Sequence, residues 1–564
     1  MPVTTPRISF GLYVIEIKQD ATISTTTALQ PFSNVANLKT DNVLLYPSIT
    51  YEPDYWVLDG RYRFIPVDPS KALVGMMSLE MSNASGGFIS PPVLEITFSQ
   101  LHDTDGIGFR FSLNTGDYAS EIKVDYYNGA ALIISNTYFP TDVEFSANQF
   151  VSSFNRIVIT FQKTSRPYRY FRLLGIDFGK LITFTGESIK SAAVIEEVDP
   201  LSTSLRVNAF NLTLFSEDEQ FSILNPAGEF AALATRQPIA AYLYVDGAIN
   251  LIGQFYLDTW ENKSKQEIEF RAIDMAGVLD SIPHRGGMYT AVRLEDLLYD
   301  IMSAASIPYQ LDPNLNNVLI SGWIPYGTLR KTLQQIAFAA GAAVDCSRSW
   351  TIKIYRSRIA AQEVAAATIT RSEKGMNQSI AMRPLVTGVT VIAHSYLPST
   401  ESKELFKDNL PAGLHEILFS QPMHTLSISG GTIAESGANY AIINVATSGQ
   451  VILTGQTYNE ITRGHAIHTP GLSISVKPNV LEVKDAYLVN PNNLVQITQR
   501  LYDYYQQRYL QKVQLFAPSV QPGDVVNIET MYGKTLRGVI EKMDTDLARG
   551  FIVNTEIIGV EHVA

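Results

Sequence analysis

Five strand-length segments follow one another between Val93 and Gly179, and their spacing decides most of what this chain can become. "VLEITFS", "GIGFRFSL", "EIKVDYYNG", "RIVITFQK" and "YRYFRLLGIDFG" are rich in β-branched and aromatic residues, which fit a pleated, half-buried surface. In "EIKVDYY", Ile122, Val124 and Tyr126 alternate with polar neighbours and give one buried face. Gly and Asn punctuate the run at "DTDG", "NTGD" and "NG". Residues 41–179 therefore read as a self-contained β-sandwich of the jelly-roll kind.

The β character extends to both sides. "SFGLYVIEIKQDATISTTTALQ" reads as a strand or two, and residues 254–260 and 267–273 alternate around the polar turn "ENKSK" as a hairpin. Two helical stripes then intervene. Leu294, Leu297, Leu298 and Ile301 share one face, and Leu329, Leu333, Ile336, Ala337 and Ala340 share another. Thr328 is placed as an N-cap and Gly341 as the residue past the C-terminus. With "SWTIKIYR" as a strand, these make a small α/β module. Strands return from about Ser372, interrupted by a helix in "NPNNLVQITQRLYDYYQQRYL". Asn490 is its expected cap, Pro491 its first residue, and Leu494, Ile497, Leu501 and Tyr505 its stripe. The closing "PGDVVNIETMYGKTLRGVIEKMD" reads as a barrel hairpin. Val526 and Ile528 alternate with Asn527 and Glu529, Tyr532-Gly533 makes the turn, and Gly538 marks a bulge. The expected fold class is mainly β with an α/β module.

Composition narrows the function. A chain of 564 residues holds roughly three to five domains at ~150 residues each. Only 17% of residues are charged against 46% hydrophobic, a balance that favours surface buried in an assembly. The net charge of −12 and the lack of a long basic run argue against nucleic-acid binding, and no sequence-specific readout is expected. Cys346 is the only cysteine, so neither an intrachain disulfide nor a multi-cysteine zinc site can form. The N-terminus lacks a signal-peptide pattern, and no window approaches 18 uninterrupted apolar residues, so no membrane anchor is expected.

Reactive constellations are scarce. His465 and His468 lie three apart with no third ligand close in sequence, which favours surface or packing roles. "HDTDG", residues 102–106, spaces two carboxylates like the start of a calcium loop. The bidentate Glu of an EF-hand is replaced by Ser112, and a polar hairpin turn is the plainer reading. Asp258 and Asp274 flank the 254–273 hairpin as ordinary strand-end carboxylates. No nucleophile elbow, HExxH or P-loop occurs. Tyr51, Tyr55 and Trp56 cluster in "YEPDYWVLDG", where core or interface packing competes with ring stacking on a sugar. No catalytic residue, metal site or cofactor is expected, and the chain is not expected to be an enzyme.

Several segments resemble the tail-hub proteins of phages and phage-derived particles. "SILNPAGEFAALATRQPIAAYLYVDGAINLIGQFYLDTWE" with "FRAIDMAGVLD" is similar to their first barrel, "LISGWIPYGTLRKTLQQIAFAAGA" to their central domain, and residues 494–544 to their closing helix and second barrel. The resemblance implies two hub β-barrels: 1–40 with 180–290, and 372–564 with a helix at 491–510 and a β-rich insertion around 400–480. The α/β domain at 291–371 lies between them. Residues 41–179, most clearly "NRIVITFQKTSRPYRYFRLLGIDFG", resemble a discoidin-like jelly roll inserted into the first barrel. Such modules often bind carbohydrate, which makes Trp56, His102 and Asp105 candidates for contact with a cell-surface glycan. The resemblance further implies a homotrimer in the virion, assembled in the host cytoplasm. Its partners would be the tail tube or distal tail proteins, a central spike or tail fibre, and the tape measure protein. The net charge of −12 adds the separate expectation of an acidic lumen that DNA passes without sticking. The second barrel is expected to run to the last residues of the sequence, so no lytic domain is expected after it.

Overall fold

The computed structural model describes residues 4–39, 49–56, 75–112, 115–225, 228–245, 248–305, 307–349, 351–473, 475–516, 519–548 and 552–562. The architecture is mainly β. β1 (Thr4–Tyr13) and the short α1 (Ile15–Asp20) lead into a sandwich. Its strands are β2 (Met76–Met81), β3 (Val93–Arg110), β4 (Ala119–Asn128), β5 (Ala131–Tyr138), β6 (Glu144–Thr164), β7 (Tyr170–Leu173) and the start of β8 (Gly175–Thr185). Antiparallel pairing runs β5–β4–β6–β3–β8, while β2 and β7 form a separate two-stranded sheet. The alternation in "EIKVDYY" does its expected work. Ile122, Val124 and Tyr126 are buried in one core with Phe109, Phe154, Phe161 and Phe171.

Two expectations change here. "VLEITFS" and "GIGFRFSL" are one strand, β3, and the supposed turn at 102–106 runs inside it. Register shifts against β6 near His102, Thr104 and Gly106 absorb the irregularity. Of residues 1–40, β1 pairs with the barrel, but Ile17, Ala21 and Leu38 pack in the sandwich core. β8 then serves both bodies. Residues 175–178 pair with β3 of the sandwich, and residues 179–185 pair with β1 of the barrel. The change of partner occurs at Gly179, whose φ of +132° and close approach to the Leu12 carbonyl exclude a side chain.

Beyond the sandwich come β9 (Ile189–Glu197), β10 (Ala209–Phe215), β11 (Pro238–Val245), β12 (Ala248–Asn262) and β13 (Glu267–Ile273). Their pairing order is β8–β1–β11–β12–β13–β10–β9. The β12–β13 hairpin is the one expected from alternation, with Trp260 opposite Phe270. The helices α2 (Leu294–Ala304) and α3 (Leu329–Ala340) follow, and their stripes share a core with Ile320, Ile352 and Ile354. Thr328 accepts from the Lys331 amide and Gly341 closes α3 in a left-handed conformation, as the sequence predicts.

The C-terminal part contains β14 (Ala367–Ile369), β15 (Lys374–Met382), β16 (Gly388–Leu410) and β17 (Gly449–His468). It ends with α4 (Leu494–Tyr505), β18 (Tyr509–Phe516), β19 (Val525–Glu529), β20 (Thr535–Asp546) and β21 (Ile552–His562). β16 and β17 form a long antiparallel ribbon whose distal end carries its own small core of Phe419, Met423, Ile443, Val451 and Leu453. Asn439, fully buried, ties that end to the α/β module. It accepts from the Trp323 indole at 2.7 Å and donates to the Arg285 and Ile324 carbonyls.

The helix expected at 491–510 is confined to its stripe, Leu494–Tyr505. Residues 490–493 form an Asn-stabilised turn, with the Asn490 and Asn493 side chains accepting from the Asn492 and Asn490 amides. At the other end, residues 509–516 are drawn into β18 between β15 and β21. Strand pairing there outweighs helical propensity. Gly538 is also not a bulge. It pairs in register with Val526 and Gly559, and a Cβ on it would lie 2.4 Å from Ile557 and 2.9 Å from the Ile558 carbonyl. The bulge sits three residues on, at Glu541.

That bulge exposes an internal duplication. The last unit pairs in the order β14–β19–β20–β21–β18–β15, the order of the first unit with β1 removed. In both units a short 3-10 turn, Gly186–Ser188 or Arg371–Glu373, precedes the outermost strand, β9 or β15. In both, the middle strand of the three-stranded meander, β12 or β20, bulges by one residue, at Asp258 between Leu257 and Thr259 and at Glu541 between Ile540 and Lys542. The same backbone bond pair closes each entry turn. The Arg236 amide donates to Leu257 and the Leu257 amide to Gln237, while the Gly523 amide donates to Ile540 and the Ile540 amide to Asp524. Leu257 and Ile540 are therefore counterparts, and every other position follows from register.

Candidate functional site

The three sugar-contact candidates occupy three separate settings. His102 is only 9% exposed; its ring packs edge-on against Phe98 at 5.3 Å, and its Nε2 lies 2.7 Å from an Asp20 carboxylate oxygen. Ser99 and then His102 hold the Asp20 carboxyl down to about 2. The residue thus clamps α1 onto β3. Asp105 points to solvent from the same strand, between inward-facing Thr104 and Gly106. Trp56 is 36% exposed and gives its indole N–H to the Thr50 carbonyl. It borders residues 57–74, which lie outside the described residues. Its neighbour Tyr55 is buried under the guanidinium of Arg172.

The remaining flagged residues do not converge either. His465 and His468 lie along β17 opposite Val391 and Gly388. Among the described residues no group of three or more His, Cys, Asp or Glu is arranged to hold a metal. Asp258 is an exposed bulge residue, whereas Asp274 is buried and caps a helical turn by accepting from Gly277. Burial pushes the Asp274 carboxyl up to about 7 and raises the neighbouring Cys346 thiol. No helix among the described residues is long and apolar enough to cross a membrane.

The strongest geometry lies at two junctions instead. One mounts the sandwich on the first unit. Arg7 on β1 pairs with Asp142 beside β6, and the Tyr244 hydroxyl of β11 also donates to Asp142. Asp177 on β8 receives Lys18 at 2.7 Å and also Arg110. Burial alone would raise the Asp177 carboxyl, but Arg110 and Lys18 hold it below the usual range. Five charged side chains are thus locked at one joint, which fixes how the sandwich is presented.

The other junction is the seam between the two units. β9 pairs antiparallel with the end of β20, from Ala193 opposite Asp546 to Glu197 opposite Lys542. Lys542 reaches Glu197 at 2.7 Å across the seam. Beneath it Arg348 forks onto Glu196 at 3.0 Å and donates to the Val520 carbonyl. Burial drives the Glu196 carboxyl up and the Arg348 fork opposes it. The Tyr504 hydroxyl of α4 donates to Glu541, whose carboxyl burial pushes up to about 7. One hydrophobic core runs through both units, from Phe10, Phe210 and Phe270 to Val513, Ile540 and Val553.

The resemblance implies two barrels, but the residues alone read as holding no repeat, although a signal is present. "LDTWE" at 257–261 and "IEKMD" at 540–544 share an apolar–acidic–x–large apolar–acidic pattern around the bulge.

No protein-family model matches this chain, and no curated protein does. Among solved structures it is similar to a tail protein from Neisseria meningitidis MC58, at 11% identity and a TM-score of 0.41, covering 66% of this chain and 93% of that one. It is similar also to the 43 kDa tail protein of prophage MuSo2 from Shewanella oneidensis, at 9% identity and a TM-score of 0.40, covering 67% and 95%. A prophage tail protein from Listeria monocytogenes EGD-e gives 10% identity and a TM-score of 0.37, covering 67% and 91%. Scores of this size carry no conclusion about what this chain binds.

Proposed function

We propose that this chain is a structural protein of a phage-type tail, a hub that assembles as a homotrimer. The hub joins a sixfold tail tube, or distal tail proteins, to a central spike or tail fibre. Its lumen passes DNA or the tape measure protein, and it is assembled into the virion in the host cytoplasm. One observation carries the reading: each chain holds two units of one strand order, joined edge to edge through β9 and β20. Three such chains present six similar units, the number that meets a sixfold tube, and repeated head-to-tail contacts close into rings when the rotation permits. The reading makes the chain a scaffold rather than an enzyme. Particles assembled without this chain test it. Tails are expected to be absent or to lack their tips; complete, infective tails formed without the chain would overturn it.

A second reading concerns the 41–179 module as a discoidin-like adhesin for a cell-surface glycan. Its support is that Tyr51 and Trp56 both reach solvent, Tyr51 90% exposed and the Trp56 indole bonded to the carbonyl of Thr50, the residue before Tyr51. Trp56→Ala is expected to lose retention on immobilised host polysaccharide while the melting temperature holds. Retention equal to wild type would remove Trp56 from that role.

A further inference from the structure

The duplication leaves two edges without the partners that their counterparts have. In the first unit, the outward edge of β9 is covered by residues 542–546 of β20. Its counterpart in the second unit is β15, which pairs with β18 on one side; among the described residues no strand pairs with its other side. The counterpart of residues 542–546 is residues 259–263, at the end of β12. These pair with β13 on one side, and no described strand lies on the other. An unpaired edge of this kind is a template for another strand.

We infer that β15 of one copy pairs antiparallel with residues 259–263 of β12 in the next copy, repeating between chains the seam that β9 and β20 make within one. This deepens the ring reading and rests on it. Register follows from the counterparts. Val194 corresponds to Ile380, since they sit opposite Phe210 and Gln511, which in turn face Ala272 and Ile557. The new pairs are therefore Ser379 with Lys263, Ile380 with Asn262, Ala381 with Glu261, Met382 with Trp260, and Arg383 with Thr259.

Exposure supports this occupant over any other. Met382 is 58% exposed, while Glu196, its counterpart within the intramolecular seam, is 1% exposed. Within the chain the seam strand and the Arg348 fork together close over this position. Opposite Met382 the seam would bring Trp260, whose ring already packs partly on the core, and a thioether against an indole edge is a favourable contact. Arg383 falls diagonal to Glu261, so a cross-seam ion pair takes the place of Lys542 and Glu197. The contact is heterologous: the same two patches on every copy meet head to tail and never self-pair.

Cysteine placement tests the register. Ala381→Cys and Glu261→Cys on separate chains are mixed and treated with a short bis-maleimide; Cys346 is buried and stays silent. The expected result is a cross-linked dimer of the two variants, and a covalent ladder ending in a closed species when both substitutions share a chain. Pairing Glu261→Cys with Lys407→Cys, on the distal ribbon, should give none. If mass photometry shows a trimer but the 381–261 pair does not cross-link above that control, the edge pairing is wrong and the hub reading survives. If the chain stays monomeric at every concentration, the ring reading falls and this inference with it.

Discussion

The two duplicated units share a backbone and differ in what fills it. At the centre of the first, Phe210 stacks near Phe255 at 5.2 Å, and Phe270 meets Phe10 edge-on at 5.2 Å. The counterparts of Phe210, Phe255 and Phe270 are Gln511, Gly538 and Thr555. Gln511 and Thr555 are almost fully buried, and neither side chain finds a protein partner. Bulge, entry turn and strand order are kept while the packing changes. The shared register, not the core composition, is therefore what the second unit needs in order to offer its edges.

This contrast can be broken from either side. Phe270→Ala empties an aromatic cluster in the first unit and should cost about 3–5 kcal/mol in urea unfolding. Thr555→Val at the counterpart position should be neutral or slightly stabilising, because it removes a buried hydroxyl. Gly538→Ala drives a Cβ into Ile557 and the Ile558 carbonyl and should cost about 1–3 kcal/mol, although the counterpart carries a full phenylalanine.

The bulges separate the units by pH. Burial raises the Glu541 carboxyl from an ordinary 4.5 to about 7. Its contribution is full below the unfolded value and is lost as pH rises through 7, so stability should fall between about pH 4.5 and 7. Glu541→Gln should flatten that slope, measured by melting temperature across the range; an unchanged slope removes Glu541 as its source. Gln511→Leu should raise stability by about 1 kcal/mol by removing an unpaired buried amide. The smallest effect is expected at the exposed bulge, where Asp258→Asn should change stability by less than about 0.5 kcal/mol.

Much of this fold was legible because local chemistry and tertiary structure agree. Alternation placed Ile122, Val124 and Tyr126 inward, and Thr328 and Gly341 bracketed α3 as capping chemistry requires. Legibility failed where distant partners decide. His102 reads as a turn residue because His-Asp-Thr-Asp-Gly is turn chemistry, yet β6 holds the segment in a strand and Asp20 occupies the imidazole. Tyr505 continues a helical stripe, but β15 and β21 claim the chain four residues later. The resemblance implies two barrels, but no repeat is legible in the residues themselves, because the two cores share almost no side-chain chemistry, Phe210 against Gln511 and Phe270 against Thr555. Only the short segments around each bulge, 257–261 and 540–544, kept a trace. The mount of the sandwich through Arg7, Asp142, Lys18 and Asp177 joins residues far apart along the chain, which no local pattern can announce.

The central claim is that two seamed units per chain build a ring of six. Single-particle electron microscopy of the purified chain tests it most directly. The account predicts threefold class averages with six barrel-sized lobes around a central channel and the sandwiches carried outside them. Particles containing one chain, or rings whose lobes number other than two per chain, would contradict it.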